Sequence, residues 1–123
     1  MSSPGTEIRI PTLEETTVLS AEDKAFLREV AAKVRAVEPG AELLLYGSRG
    51  RGDAREDSDW DILAIVDRED VRQLRREVFR ALYEYGTDER TFLEVMYVTR
   101  ERWEADRNWL EYFRNVADDA VAL

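Results

Sequence analysis

The sequence predicts a small α+β domain, a mixed β-sheet with helices packed on it. Three observations carry this. Two short apolar runs, Leu43–Tyr46 and Ile62–Val66, are nearly continuous, as in strands covered on both faces. Helical apolar stripes flank them, over residues 20–38 and 68–85. A third run, Thr91–Val98, returns to strand-like β-branched and aromatic residues. The order is helix, strand, glycine-rich loop, strand, helix, strand, helix, and such mixing places helices against a sheet.

Residues 1–19 are polar and contain Pro4, Gly5 and Pro11. They are expected as an N-terminal tail, or as an edge strand in which Ile8 and Ile10 alternate with charged neighbours. Residues 20–123 are expected as one domain. Ser20 is suited to cap the first helix, with Glu22 and Asp23 favoured in its first turn. Phe26, Leu27, Val30, Val34 and Val37 form its apolar stripe, and Pro39-Gly40 stops it.

Leu43–Tyr46 leads into Gly47-Ser48, where the chain must turn. Gly47 allows a tight bend or close approach to a ligand. Ser48 offers a hydroxyl, and a helix starting there aims free N–H groups at an anion. Arg49, Arg51 and Arg55 bring positive charge to the loop. Asp59-Trp60-Asp61 opens the second strand. Alternate residues share a strand face, so Asp59 and Asp61 project together and Trp60 packs on the other side. Two neighbouring carboxylates repel unless a cation lies between them, and Mg²⁺ favours carboxylate oxygens. A phosphate cradle beside a carboxylate pair points to chemistry on a nucleoside triphosphate.

Asp67 is expected to cap the next helix, residues 68–85. Val71, Leu74, Val78, Leu82 and Tyr85 form its inward stripe, widened by Phe79, and Gly86 ends it. Arg72, Arg75, Arg76 and Arg80 lie opposite with Glu69 and Glu77. Acids at helical ion-pair spacing favour a solvated face over a nucleic-acid patch. In Thr91–Val98, Phe92, Glu94, Met96 and Val98 share one face. Glu94 either lies in water on an edge strand or joins Asp59 and Asp61, because a carboxylate buried unpaired is costly. Asp88 and Glu89 are the fallbacks for a third carboxylate. Thr99 is suited to cap a short helix from Arg100. Asn108–Val116 reads as the final helix, with Trp109, Leu110, Phe113 and Val116 expected to bury apolar surface.

Composition narrows the chemistry. The 123 residues carry a formal net charge of −9, which disfavours a large nucleic-acid-binding face. No cysteine or histidine is present, so thiolate metal sites are excluded and a general base must be a carboxylate, water or a less usual group. No apolar run is long enough for a membrane span and no leader pattern opens the chain, so a cytoplasmic location is expected.

The motif Tyr46-Gly47-Ser48-Arg49, Gly52-Asp53-Ala54-Arg55 and Ser58-Asp59-Trp60-Asp61 resembles the signature of minimal nucleotidyltransferases. These are small single-domain members of the DNA polymerase beta superfamily. The departure is Gly50, where alanine is common; it is expected to loosen the loop slightly. The resemblance implies the polymerase beta-like palm fold, two Mg²⁺ ions (or Mn²⁺) and ATP or another nucleoside triphosphate as substrate. It implies Asp59 and Asp61 as metal ligands and catalytic residues. Gly47, Ser48, Arg49 and Ser58 would bind nucleotide phosphates. It also implies a third carboxylate on a later strand, for which Glu94 is the matching position, although many relatives carry aspartate there. The expected reaction is transfer of a nucleoside monophosphate to a hydroxyl, on a HEPN-domain partner protein toward which this chain is the antitoxin. The alternatives are a non-catalytic antitoxin and a small-molecule nucleotidyltransferase of the aminoglycoside-modifying kind, with a homodimer supplying the acceptor surface.

Overall fold

The computed structural model describes residues 9–84 and 93–123. Tyr85, Gly86, Asp88, Glu89 and Phe92, named above, lie outside the described residues, as does Ile8. The sheet order is β3-β2-β1-β4. Strand β1 (Glu42–Tyr46) pairs antiparallel with β2 (Trp60–Val66), and β2 pairs parallel with β3 (Leu93–Thr99). The short β4 (Val121–Ala122) pairs antiparallel with β1 on its other side.

Helix α1 (Ala21–Val37) begins as its sequence dictates. Ser20 Oγ accepts the Asp23 N–H at 3.1 Å, and Leu27, Val30, Ala31 and Val34 are buried. With α3 (Val71–Glu84) it covers one face of the sheet, over Leu43, Leu45, Ile62, Ala64 and Val66. Helices α4 (Arg100–Asp106) and α5 (Glu111–Asp119) cover the other face. There Trp103, Phe113 and Val116 pack on Leu44, Leu63, Ile65 and Val98. Thr99 caps α4 by accepting the Arg102 N–H. The alternation of β2 is thus divided between two cores, and this is why its sequence reads as one apolar run.

Several elements differ from expectation. Helix α3 starts at Val71, not after Asp67. Asp67 instead accepts a hydrogen bond from Arg100, while Arg68 is held by Asp70, Glu77 and Glu38. These ion pairs fix residues 67–70 as a connection before the helix. Phe79 does not widen the buried stripe; it is 62% exposed and stacks on Tyr83. Helix α5 begins at Glu111, so Trp109 sits in the preceding turn and is 81% exposed, with Leu110 also exposed. Phe113 and Val116 carry the burial of that helix. Within the segment expected as a tail or an edge strand, Thr12 bridges Ala122, the Leu13 N–H donates to the Ala122 carbonyl, and Leu13 is buried. No helix among the described residues is long and apolar enough to cross a membrane.

Candidate active site

Strand pairing gathers the polar residues at one end of the sheet. Because β1 runs against β2 and β2 runs with β3, the end of β1 meets the beginnings of β2 and β3. Tyr46 lies opposite Asp61, and Asp61 opposite Glu94. All three belong to the face whose deeper positions, Leu44, Leu63 and Val98, are sealed by α4 and α5. Asp61 is half-buried, and Glu94 and Asp59 are exposed. The neighbouring Trp60 turns to the opposite face, is buried, and packs on Phe26 with ring centroids 5.3 Å apart.

The electrostatics of Asp61 tie the carboxylates together. Burial pushes its carboxyl above the ordinary aspartate range, and the negative charges of Asp59 and Glu94 push it further. Tyr46 is likewise held above its ordinary value, first by burial and then by its hydrogen bond to Tyr112, with Asp61 and Glu94 adding to the rise. The Tyr46 and Tyr112 hydroxyls are 2.7 Å apart, and the rings meet edge to face at 6.1 Å. This pair joins β1 to α5 at the border between the sealed core and the open carboxylate end. Sequence reasoning missed Tyr112; its signal was a tyrosine one position before the buried Phe113, on the flank of an amphipathic helix.

Gly47 caps helix α2 (Ser48–Arg51) with φ 73° and ψ −155°, a conformation essentially confined to glycine. A Cβ there would lie 3.1 Å from Asp61 Oδ2, so the turn presses its backbone against that carboxylate. Ser48 opens the single helical turn, whose first N–H groups have no partners within the helix. Arg49 is committed to the loop. Its guanidinium lies 4.2 Å from the Trp60 ring centre and donates to the carbonyls of Ser58 and Glu56. Ser58 accepts the Arg55 N–H on its hydroxyl at 2.8 Å. Arg49 and Ser58 therefore brace the loop that delivers Asp59 and Asp61.

Gly50 has a different role from the loosening expected of it. A Cβ there would sit 2.3 Å from the Asp119 carbonyl oxygen and 3.1 Å from that of Leu45. The missing side chain lets α2 press against the end of α5, and Arg51 reinforces the contact with a 2.9 Å bond to Asp119. Gly50 tightens the junction.

The family model described as nucleotidyltransferase domain matches residues 25–116, most of the chain. The chain belongs to this family. It is thereby a member of the polymerase beta-like superfamily, and the mixed four-stranded sheet with its helices agrees with that fold. A search of curated proteins returned no match. Family membership implies a nucleoside triphosphate substrate and a divalent metal for this nucleotidyltransferase domain.

The carboxylates suit such a metal in donor chemistry, since all are hard oxygen ligands. Among the described residues, no group of three or more carboxylates is placed to hold a metal ion. Mg²⁺ does not demand one, because it usually takes one or two carboxylates together with waters and substrate phosphates. Burial first, and then the charges of Asp59 and Glu94, raise the Asp61 carboxyl, and a bound cation would offset both.

Proposed function

We propose that this nucleotidyltransferase domain transfers a nucleoside monophosphate, AMP from ATP in the first instance, to a hydroxyl on a partner protein. The observation that supports the reading best is the register pairing of Asp61 with Glu94 on one sheet face, with the Gly47 turn pressed against Asp61.

In this reading Asp59 and Asp61 would hold two Mg²⁺ ions, with Glu94 as the further ligand; Mn²⁺ would serve as well. When bound, the ions neutralise the triphosphate and lower the pKa of the attacking hydroxyl. Gly47 and the N–H groups opening α2, with the Ser48 hydroxyl, hold the terminal phosphates. Arg49 and Ser58 act by fixing the loop around them. The acceptor oxygen attacks the α-phosphorus in line. The bond from that phosphorus to the bridging oxygen breaks, and pyrophosphate leaves with the electron pair. Glu94, which is exposed, accepts the hydroxyl proton and returns it to water.

A protein acceptor is favoured because the net charge of −9 opposes a long polyanion. A HEPN-type ribonuclease toxin is the partner class we propose, with this chain as its antitoxin. The test mixes the domain, labelled ATP, Mg²⁺ and such a partner, and maps modified residues by mass spectrometry. Label on a partner tyrosine, lost in Asp61→Asn, supports the reading. A tight complex without label would make the domain a binding module, and label on an aminoglycoside or tRNA would reassign the acceptor.

A further inference from the structure

Helix α3 carries a surface that the transferase chemistry leaves unused. Arg72, Arg76, Phe79 and Tyr83 recur at helical spacing and form one exposed stripe, with Arg75 on its flank. The Phe79 and Tyr83 rings stack with centroids 4.5 Å apart, and the two are 62% and 42% exposed. The acids expected to neutralise these arginines do not. Glu77 is engaged by Arg68 and Gln73, and neither Arg72 nor Arg76 has an ion-pair partner among the described residues. Arg75 lies over the Tyr97 ring at 5.7 Å. The stripe borders a groove of about 250 Å³ that wraps the outer edge of β3 and reaches Glu94 and the exposed Met96. A path of arginine and aromatic surface thus runs to one of the carboxylates of the candidate site.

We infer that this face is the docking surface for the acceptor protein, and that it receives an acidic segment bearing apolar anchors. The inference rests on the transferase reading above for its view of Glu94. Arg, Tyr, Phe and Met are the residue types enriched in protein interfaces, and Arg and Tyr are prominent among hot spots. The guanidinium groups of Arg72 and Arg76, which have no ion-pair partner among the described residues, attract carboxylates on a partner. The net charge of −9 opposes a nucleic acid more than a short acidic segment, because a phosphate backbone runs beyond the stripe. A two-fold contact between copies of this face would bring the arginines of both copies together with no carboxylate from the stripe to neutralise them, which disfavours self-association through it.

The test uses a fluorescein-labelled, Glu-rich peptide with interspersed Leu and one Tyr, followed by fluorescence anisotropy on the full chain. Saturable, salt-sensitive binding is expected, weakened about tenfold or more by Arg76→Glu and by Phe79→Ala. Both positions are exposed, and circular dichroism melts verify that the variants fold. Arg114→Glu on α5 is the control and should bind as the parent does. Failure of the parent to bind saturably overturns the inference, as does equal binding by both variants. If oligouridylate binds in place of the peptide and shows the same sensitivity, the face is a nucleic-acid surface and the inference falls. It falls too if the parent sediments as a dimer that Arg76→Glu dissociates. Failure of the transferase reading is read separately, from pyrophosphate release that does not depend on Asp61. Asp61→Asn should leave peptide binding intact.

Discussion

Replacing Gly47 with alanine should damage both the fold and the site, by amounts that follow from the local geometry. Gly47 has φ 73° and ψ −155°. A residue with a side chain held in that region costs about 1–3 kcal/mol. Alanine also restricts the unfolded chain, which offsets about 0.4–1 kcal/mol of that cost. At the midpoints of these ranges the net loss is about 1.3 kcal/mol. For a chain of this size, each kcal/mol moves the melting temperature by about 4 °C, so a fall of ~5 °C is expected. The new Cβ would also stand 3.1 Å from Asp61 Oδ2. The carboxylate can yield by a few tenths of an ångström, but in doing so it leaves the position set by its pairing with Glu94. Nucleotide-dependent pyrophosphate release should therefore fall further than the loss of folded protein explains, when assayed well below the melting transition. Thermal and urea unfolding followed by circular dichroism measure the first effect. An alanine variant that melts at the parent temperature would refute the backbone argument, and one with parent activity would refute the coupling to Asp61.

Gly50→Ala should also destabilise, because overpacking against the Asp119 carbonyl at 2.3 Å costs about 1–3 kcal/mol against a helix-propensity gain of at most about 1 kcal/mol; urea midpoints report it. Asp61→Asn should raise the melting temperature in chelator at neutral pH. A carboxyl held above its unfolded-state pKa contributes no penalty below that pKa and destabilises as pH rises through the native value, so the gain should vanish on acidification. Glu94→Gln should keep the fold and bind nucleotide yet lose transfer, which calorimetry and pyrophosphate release separate. Truncation after Asp106 removes the buried Phe113, Val116 and Val121, each contributing about 1.5–3 kcal/mol, and should abolish the cooperative melt.

Most of the framework was legible because its signals were local. Ser20 caps α1, Thr99 caps α4, and the strands from residues 43 and 60 lie where apolar runs meet glycine or aspartate. What escaped was set by long-range partners. Asp67 has the chemistry of a helix cap, but Arg100, 33 residues away, takes its carboxylate. Glu77 has helical spacing to Arg80, but it turns to Arg68. Phe79 and Trp109 are apolar at plausible positions, and only the packing of neighbouring elements decides that they face outward. A two-residue strand such as β4 has no periodicity to read, and its existence depends on β1. Gly50 was misjudged because the atom it accommodates belongs to residue 119.

For the site, the decisive quantity is register. Spacing along the chain places Asp59 and Asp61 on one short segment, but it says nothing about where Glu94 falls relative to them. The parallel pairing of β2 with β3 supplies that, setting Asp61 beside Glu94 and Leu63 beside Met96. A one-residue slip would move Glu94 to the opposite face, under α3, and bring Leu93 or Val95 to the carboxylate end. The slip is opposed within the same strand: Val98 is 7% exposed among Leu63, Ile65 and Trp103, and a shift would replace it in that core with Tyr97 or Thr99. Along β3 the shared face therefore passes from sealed at Val98, through Met96 at 38% exposure, to open at Glu94. The hydrophobic end of the strand fixes the register, and the register delivers the carboxylate. A substitution at Val98, with no contact to substrate, is thus a means of moving Glu94, and Val98→Thr should weaken transfer and stability together, whereas Glu94→Gln weakens transfer alone.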